Sequence, residues 1–158
     1  MLKKKPKPDA KPKKKSSSAA SDVEIAAGIL AGIVEAAFLM AAADGKIGEE
    51  EVALLAGLIH SFSEGAASEE QIVQLINACD EALTNDGYDA RVAAVAKNLP
   101  NHETKHQALL VAAMVLAADD EFDEENEGGV YVALAKALGI HQDEALQVLH
   151  EAQAMYEA

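Results

Sequence analysis

The chain has 158 residues, of which 50% are hydrophobic and only 4% aromatic, and this composition favours a single domain built from Ala- and Leu-rich helices. Residues 1–20 hold eight lysines and one aspartate, a charge of +7, whereas residues 21–158 hold five basic and 26 acidic side chains, a charge of −21. An acidic body of this kind argues against binding to DNA or RNA and favours cations or basic partners.

The first segment, residues 1–20, is predicted to be a disordered tail because it has almost nothing apolar to bury. Its lysines could bind anionic lipid headgroups, touch nucleic acid, fold back on the acidic body or only aid solubility. The domain itself is predicted to occupy residues 21–158. The lysines assigned to an anionic surface are Lys3, Lys4, Lys5, Lys13, Lys14 and Lys15.

Seven helices are predicted from the spacing of apolar residues and from capping residues. Ser68 and Gln71 predict a capping box at the start of the third helix, residues 85–87 predict a turn, and Gly139 is typical of the end of the sixth helix. The sequence therefore predicts an all-α bundle. The predicted helices span about 22–43, 49–63, 68–83, 88–99, 101–118, 124–138 and 142–157.

Two features of the sequence bear on location. Residues 25–43 are nearly all apolar, but Glu35 in their middle and their Ala and Gly content argue against a membrane span. No apolar stretch with a cleavage site follows the lysines, and the single Cys79 lies on an apolar helix face, which predicts a buried, inert thiol and a reducing compartment. A cytoplasmic protein, free or peripheral at the membrane, is expected.

An internal repeat with an offset of 75 residues is the most informative feature of the chain. Residues 42–51 align without gaps on residues 117–126, and in each copy an Ala-rich helix runs into an acidic turn. One apolar residue, Ile47 or Phe122, follows the turn, and an acidic first turn then opens the next helix. The repeat predicts a pseudo-two-fold relation between residues 22–80 and 97–157.

The turn from Ala41 to Glu51 reads Ala-x-Ala-Asp-Gly-x-Ile-x-x-x-Glu and resembles the signature turn of TerB-like (tellurite-resistance) domains. The second copy and residues 138–140 resemble the second half of such domains, with Asp120 in place of Gly and Asn126 in place of Glu. The resemblance covers about residues 22–157. It implies a compact helical domain without enzymatic activity, a binding or scaffold role in tellurite or general stress response, divalent-metal binding and membrane-linked protein partners.

Carboxylates crowd into both acidic turns, and this density suits Ca²⁺ or another divalent cation that prefers oxygen ligands. Neither turn is an EF-hand loop, because Glu124 and Val130 stand at positions 6 and 12 counted from Asp119. Alternatively, the carboxylates only cap helices and complement helix dipoles, which leaves a metal-independent adaptor that docks a basic partner. No organic cofactor is expected. The candidate ligands are Asp44, Glu51, Asp119, Asp120, Asp123 and Glu125.

Residues 102–106, His-Glu-Thr-Lys-His, match the zinc-protease pattern in which two histidines share Zn²⁺ and the glutamate acts as a base. The motif lies in the first turn after Pro100, where it is also explained as a polar helix start whose Glu103 complements the helix dipole. A third ligand would have to come from Glu124 or Glu125, across the acidic turn, which argues against a zinc site. An Ala-rich bundle also offers little room for a peptide cleft, so a zinc hydrolase is the least favoured of the three functions. The other histidines are expected at the surface or its boundary: His60, His141 and His150.

Overall fold

The computed structural model describes residues 11–43, 45, 47–118 and 127–157, and it describes the side chains of the first helix from residue 26 onward. Within these ranges the regular structure is entirely helical, and the predicted all-α, seven-helix architecture is confirmed. The helices are α1 (Lys11–Ala41), α2 (Glu49–Phe62), α3 (Glu69–Asp86), α4 (Tyr88–Asn98), α5 (His102–Ala118), α6 (Glu127–Ala137) and α7 (Gln142–Glu157).

Two helix boundaries differ from their predicted positions. Helix α1 begins at Lys11 instead of at about residue 22, and Pro12 is compatible with this start because a proline in the first turn loses no intrahelical bond. Helix α3 continues to Asp86, so the predicted three-residue turn shrinks to Gly87, whose φ of 87° favours glycine. The six tail lysines named above lie outside the described side chains.

Helices α1 and α5 form the centre of the bundle. Every residue from 33 to 40 in α1 and from 108 to 113 in α5 is buried, which explains why neither sequence shows a continuous polar face. Helices α2 and α3 pack against α1, helices α6 and α7 pack against α5, and α4 packs against α1, α3 and α6. No described helix carries an apolar stretch long enough to cross a bilayer.

The helix pairings of the two halves correspond. Helix α1 contacts α2 and α3, which also contact each other, and α5 contacts α6 and α7, which do the same. This is the arrangement that the 75-residue offset predicts. The two acidic turns cannot be compared directly, since Asp44, Lys46 and residues 119–126 lie outside the described residues, and their equivalence stays a prediction.

Glu35 is buried in the middle of α1 and is neutralised by an arginine of α4. Its side chain is 5% exposed, and Arg91 donates to both of its carboxylate oxygens, from Nε over 2.7 Å and from Nη2 over 2.8 Å. The Nη1 atom of Arg91 donates to Asp86 over 3.0 Å. The hydrogen bond with Glu35 raises the pKa of Arg91, and the bidentate contact ties α1 to the junction of α3 and α4.

Cys79 lies on the buried face of α3, as its spacing predicts. Burial, with the nearby charge of Glu35, raises the pKa of its thiol to about 12. A thiol of this kind holds almost no thiolate at neutral pH and is chemically inert.

Candidate metal centre

The amino end of α5 is held in place from two sides. Leu99 is buried against α1, where a Cβ on Gly32 would lie 2.9 Å from the Leu99 Cδ2 atom, so the close approach depends on glycine. Asn101 caps the helix, because the Thr104 amide donates to Asn101 Oδ1 over 2.9 Å and the Thr104 hydroxyl donates to the Asn101 carbonyl over 3.0 Å. The first turn of α5 is therefore fixed relative to α1.

The amino end of α7 is fixed to α6 in a similar way. Gly139, with a φ of 70°, ends α6, and the Ile140 amide donates back to the Ala135 carbonyl over 2.9 Å. The buried Tyr131 hydroxyl donates to the carbonyl of Ala145 over 2.6 Å. Burial raises the pKa of Tyr131, so this hydroxyl keeps its proton and remains a donor.

These two helix ends bring together His102, His106 and Glu144. His102 and His106 lie one turn apart on the same side of α5, and Glu144 is the third residue of α7. His102 Nε2 lies 2.9 Å and His106 Nδ1 lies 2.8 Å from Glu144 Oε2. An ionised carboxylate only accepts hydrogen bonds, so both rings donate an N–H to one oxygen atom. Three ligand atoms of this cluster all lie within 4.8 Å of one another.

The cluster is open to solvent, and its carboxylate is ionised. The side chains of His102, His106 and Glu144 are 63%, 35% and 28% exposed. The hydrogen bond from His106 lowers the pKa of Glu144; partial burial opposes it, and the hydrogen bond from His102 and the charges of both rings add to it. Glu144 is therefore ionised at neutral pH and is available as an anionic ligand.

The donor set and its spacing fit a transition-metal ion. Bonds of about 2.0 Å in tetrahedral geometry place the ligand atoms of Zn²⁺ about 3.3 Å apart. The two N···O distances of 2.9 and 2.8 Å are slightly shorter, so a metal would require a small separation of the side chains. Each ring would have to be neutral and carry its proton on the nitrogen that does not bind the metal. Two imidazoles and one carboxylate suit Zn²⁺ better than Ca²⁺ or Mg²⁺, which prefer oxygen ligands.

The third candidate ligand beside the His-Glu-x-x-His motif comes from α7. The sequence pointed to Glu124 or Glu125, which lie outside the described residues, whereas Glu144 lies beside the two histidines. Glu144 was missed because the expectation followed the chain order, whereas α7 packs against α5 and its first turn lies beside the start of that helix. Several helices have acidic residues in their first turn, so the sequence alone does not distinguish Glu144 from the others.

The other candidate ligands do not join this cluster within the described residues. Glu51 is exposed in the first turn of α2, three residues after the N-cap Gly48. The Nδ1 atom of His60 lies 2.8 Å from the carbonyl of Ala67, and His141 and His150 are exposed, as predicted. The calcium site therefore stays a prediction. Its remaining residues lie outside the described ones: Asp44, Asp119, Asp120, Asp123 and Glu125.

Comparison of the chain with protein-family models, with curated proteins and with solved structures gives no match. The TerB resemblance therefore remains a prediction that rests on the residues of the turn.

Proposed function

We propose that the protein is a non-enzymatic helical module that binds a divalent transition-metal ion, such as Zn²⁺, between the amino ends of α5 and α7. The observation that carries this proposal is the convergence of His102, His106 and Glu144, whose ligand atoms lie within 4.8 Å of one another. The acidic body supports it, because a charge of −21 over residues 21–158 raises the local concentration of cations.

Metal binding would act on the packing of the second half of the bundle. The two histidines belong to α5 and the carboxylate to α7, so an ion held by all three joins these helices. An ion that binds only the folded state also raises the free energy of unfolding. The protein would then report the metal concentration through the stability of this helix pair.

The proposed cellular role follows the resemblance to TerB-like domains. In that role the module is a binding or scaffold protein in tellurite or general stress response, in the cytoplasm or at a membrane surface. The His–Glu cluster supplies the cation dependence that the resemblance implies, at a place other than the acidic turns.

The test is a calorimetric titration of the metal-free protein with Zn²⁺, Ca²⁺ and Mg²⁺. We expect one Zn²⁺ per chain, and affinity about tenfold or more weaker in His102→Ala, His106→Ala and Glu144→Gln, since each removes one of three ligands. His150→Ala is the matched control, because this exposed ring makes no hydrogen bond within the described residues. Absence of zinc binding, or an equal loss in the control, would refute the proposal.

The calcium hypothesis is tested by the other arm of the same titration. If the acidic turns bind Ca²⁺, Asp119→Asn should reduce the heat of calcium binding and leave zinc binding unchanged. If Ca²⁺ has no effect beyond that of Na⁺ at equal ionic strength, the turns serve as helix caps, and docking of a basic partner becomes the better account of the acidic body.

A zinc hydrolase is a second candidate function. Three protein ligands with a solvent-facing fourth position are the arrangement of catalytic zinc sites, and Glu103 follows His102 as the base does in that motif. The groove described below lies between other helices and none of the three ligands lines it, so the non-enzymatic function stands first. Zinc-dependent peptide hydrolysis that Glu103→Gln abolishes, with zinc retained, would reverse this order.

A further inference from the structure

An open groove of about 440 Å³ lies between α1, α2 and α3. Phe38 of α1 and Ile76 of α3 form its floor and are buried. Three half-buried side chains line it further: Ile47, Val52 and Val73. The groove therefore offers apolar surface on which another apolar side chain can be buried.

The rim of the groove is acidic. Glu49 in the first turn of α2 and Asp80 of α3 both line it and are both exposed. Neither carboxylate forms an ion pair or a hydrogen bond with another side chain in the described part of the chain. Glu50 and Glu51 follow Glu49 on the same first turn and add to the negative charge. An apolar floor under an anionic rim is complementary to a segment in which lysines flank an apolar side chain.

We propose that the groove binds the Lys-rich segment 1–10 of a second copy of this chain. In this segment Leu2 is followed directly by Lys3, Lys4 and Lys5, which matches the floor and the rim of the groove. The wider charge distribution favours the same contact, because the segment belongs to a region of charge +7 and the groove to a body of charge −21.

The geometry of α1 assigns the segment to a second copy. Lys11 and Phe38 lie on one continuous helix, and about 27 residues at about 1.5 Å each separate them by about 40 Å. Leu2 precedes Lys11 by about nine residues, which span at most about 32 Å in any conformation. Leu2 therefore falls short of the groove of its own chain, whereas the groove of a neighbouring molecule has no such limit.

Sedimentation velocity of the full chain in the presence of EDTA tests this contact and keeps it separate from metal binding. At 50 mM NaCl we expect reversible self-association, with a dissociation constant about tenfold higher at 500 mM NaCl because exposed charges are then screened. Replacing the two rim carboxylates together (Glu49→Gln with Asp80→Asn) should raise the dissociation constant by about tenfold. Leu2→Ser should do the same.

The matched control removes two exposed carboxylates elsewhere, Asp89→Asn with Glu151→Gln. We expect this variant to associate like the unmodified chain. A full chain that stays monomeric at 50 mM NaCl overturns the proposal. An equal loss in the control pair also overturns it, because the attraction would then be general, and so does an unchanged Leu2→Ser variant, because the apolar groove would then play no part. Melting curves of each variant verify that the fold is kept.

Discussion

The two halves of the bundle carry different side chains at corresponding positions. With the 75-residue offset, the two histidines of α5 correspond to Ala27 and Ala31 of α1. The third residue of α7 is Glu144, and the third residue of α3 is Gln71. The first half therefore lacks both histidines, and the third position of its helix α3 holds an amide in place of the carboxylate.

The third residues of α3 and α7 also make different contacts. Gln71 closes a capping box, because the Ser68 amide donates to Gln71 Oε1 over 2.9 Å and the Gln71 amide donates to Ser68 Oγ over 3.1 Å. Glu144 instead accepts from the two histidines of α5. At the start of α7 the Asp143 amide donates to His141 Nδ1 over 3.2 Å. A side chain in a first turn that contacts a distant helix, in place of capping its own, indicates a functional site more strongly than its charge does.

In the core, the first half carries an acidic residue where the second half carries an apolar one. Glu35 of α1 corresponds to Leu110 of α5, and both are buried. In the first half the buried carboxylate is neutralised by Arg91, within the protein. In the second half the core position is apolar, and the carboxylate of Glu144 is at the surface, where a cation can reach it. The first half therefore pairs its buried carboxylate with an arginine, whereas the second half leaves the carboxylate of Glu144 within reach of a cation.

The largest loss of stability is expected when the ion pair between Arg91 and Glu35 is broken. Arg91→Ala leaves the Glu35 carboxylate buried without its partner and should lower the free energy of unfolding by about 3 kcal/mol, measured by urea denaturation. The double variant Glu35→Leu with Arg91→Leu copies the apolar core of the other half and should recover most of this loss. A double variant as unstable as the single one would show that the ion pair itself supplies the stability.

Zinc binding to the second half should change the free energy of unfolding by an amount similar to that expected for Arg91→Ala. At a Zn²⁺ concentration of a hundred times the dissociation constant, the free energy of unfolding should rise by about 2.7 kcal/mol, which thermal melting can follow. Glu144→Gln should reduce this gain to about half, because a tenfold weaker affinity leaves about 1.4 kcal/mol at the same Zn²⁺ concentration. Gln71→Ala, at the third position of α3 as Glu144 is of α7, should leave the gain unchanged. A gain that is reduced equally in both variants would place the effect outside the His–Glu cluster.

The helix caps should differ by a smaller amount. Ser68→Ala should cost about 1 kcal/mol in the free energy of unfolding, because it removes a reciprocal capping box. His141→Ala should cost less, since only one bond of 3.2 Å is lost at the start of α7. Equal costs in urea denaturation would mean that the two helix starts are equivalent after all.

The smallest effect is expected at Cys79, which corresponds to the buried Ala152 when both helices are counted from their first residues. With a thiol pKa raised to about 12, the folded protein should not react with a thiol reagent at pH 8, and only unfolding should expose the group. Because the folded protein buries the Cys79 thiol in its protonated form, the stability that this burial provides is complete below the thiol's pKa in the unfolded chain, about 8.5. It is lost as the pH rises towards 12, so the stability advantage over Cys79→Ala should narrow in that range. Rapid labelling of the folded protein at pH 8 would contradict this.

Local sequence signals predicted most of the fold. The capping box at Ser68 and the glycine at position 139 mark helix ends through contacts within a few residues, and both were predicted correctly. The start of α1 was missed because residues 11–20 hold almost nothing apolar, although Pro12 in a first turn does not prevent a helix. The end of α3 was missed because Asn85 and Asp86 are tolerated in a last turn that Gly87 completes.

The candidate site could be predicted only in part, for a related reason. Two histidines four residues apart can be recognised in the sequence, because helix geometry alone places them on one face. Glu144 is 38 positions from His106, and Arg91 is 56 positions from Glu35. These contacts depend on which helices pack together and in what register, and neither charge nor periodicity determines that.

The separation of the ligands along the chain has a further consequence. An ion held by His106 and Glu144 would close the intervening segment, which contains the acidic turn at residues 119–126, into a loop. In polymer terms this is a cross-link, and it opposes unfolding by reducing the conformational freedom of any open form in which the ion remains bound. A chain with one cysteine cannot form such a link through an internal disulfide. A metal link would be reversible, since it forms when the concentration of the ion rises and breaks when that concentration falls.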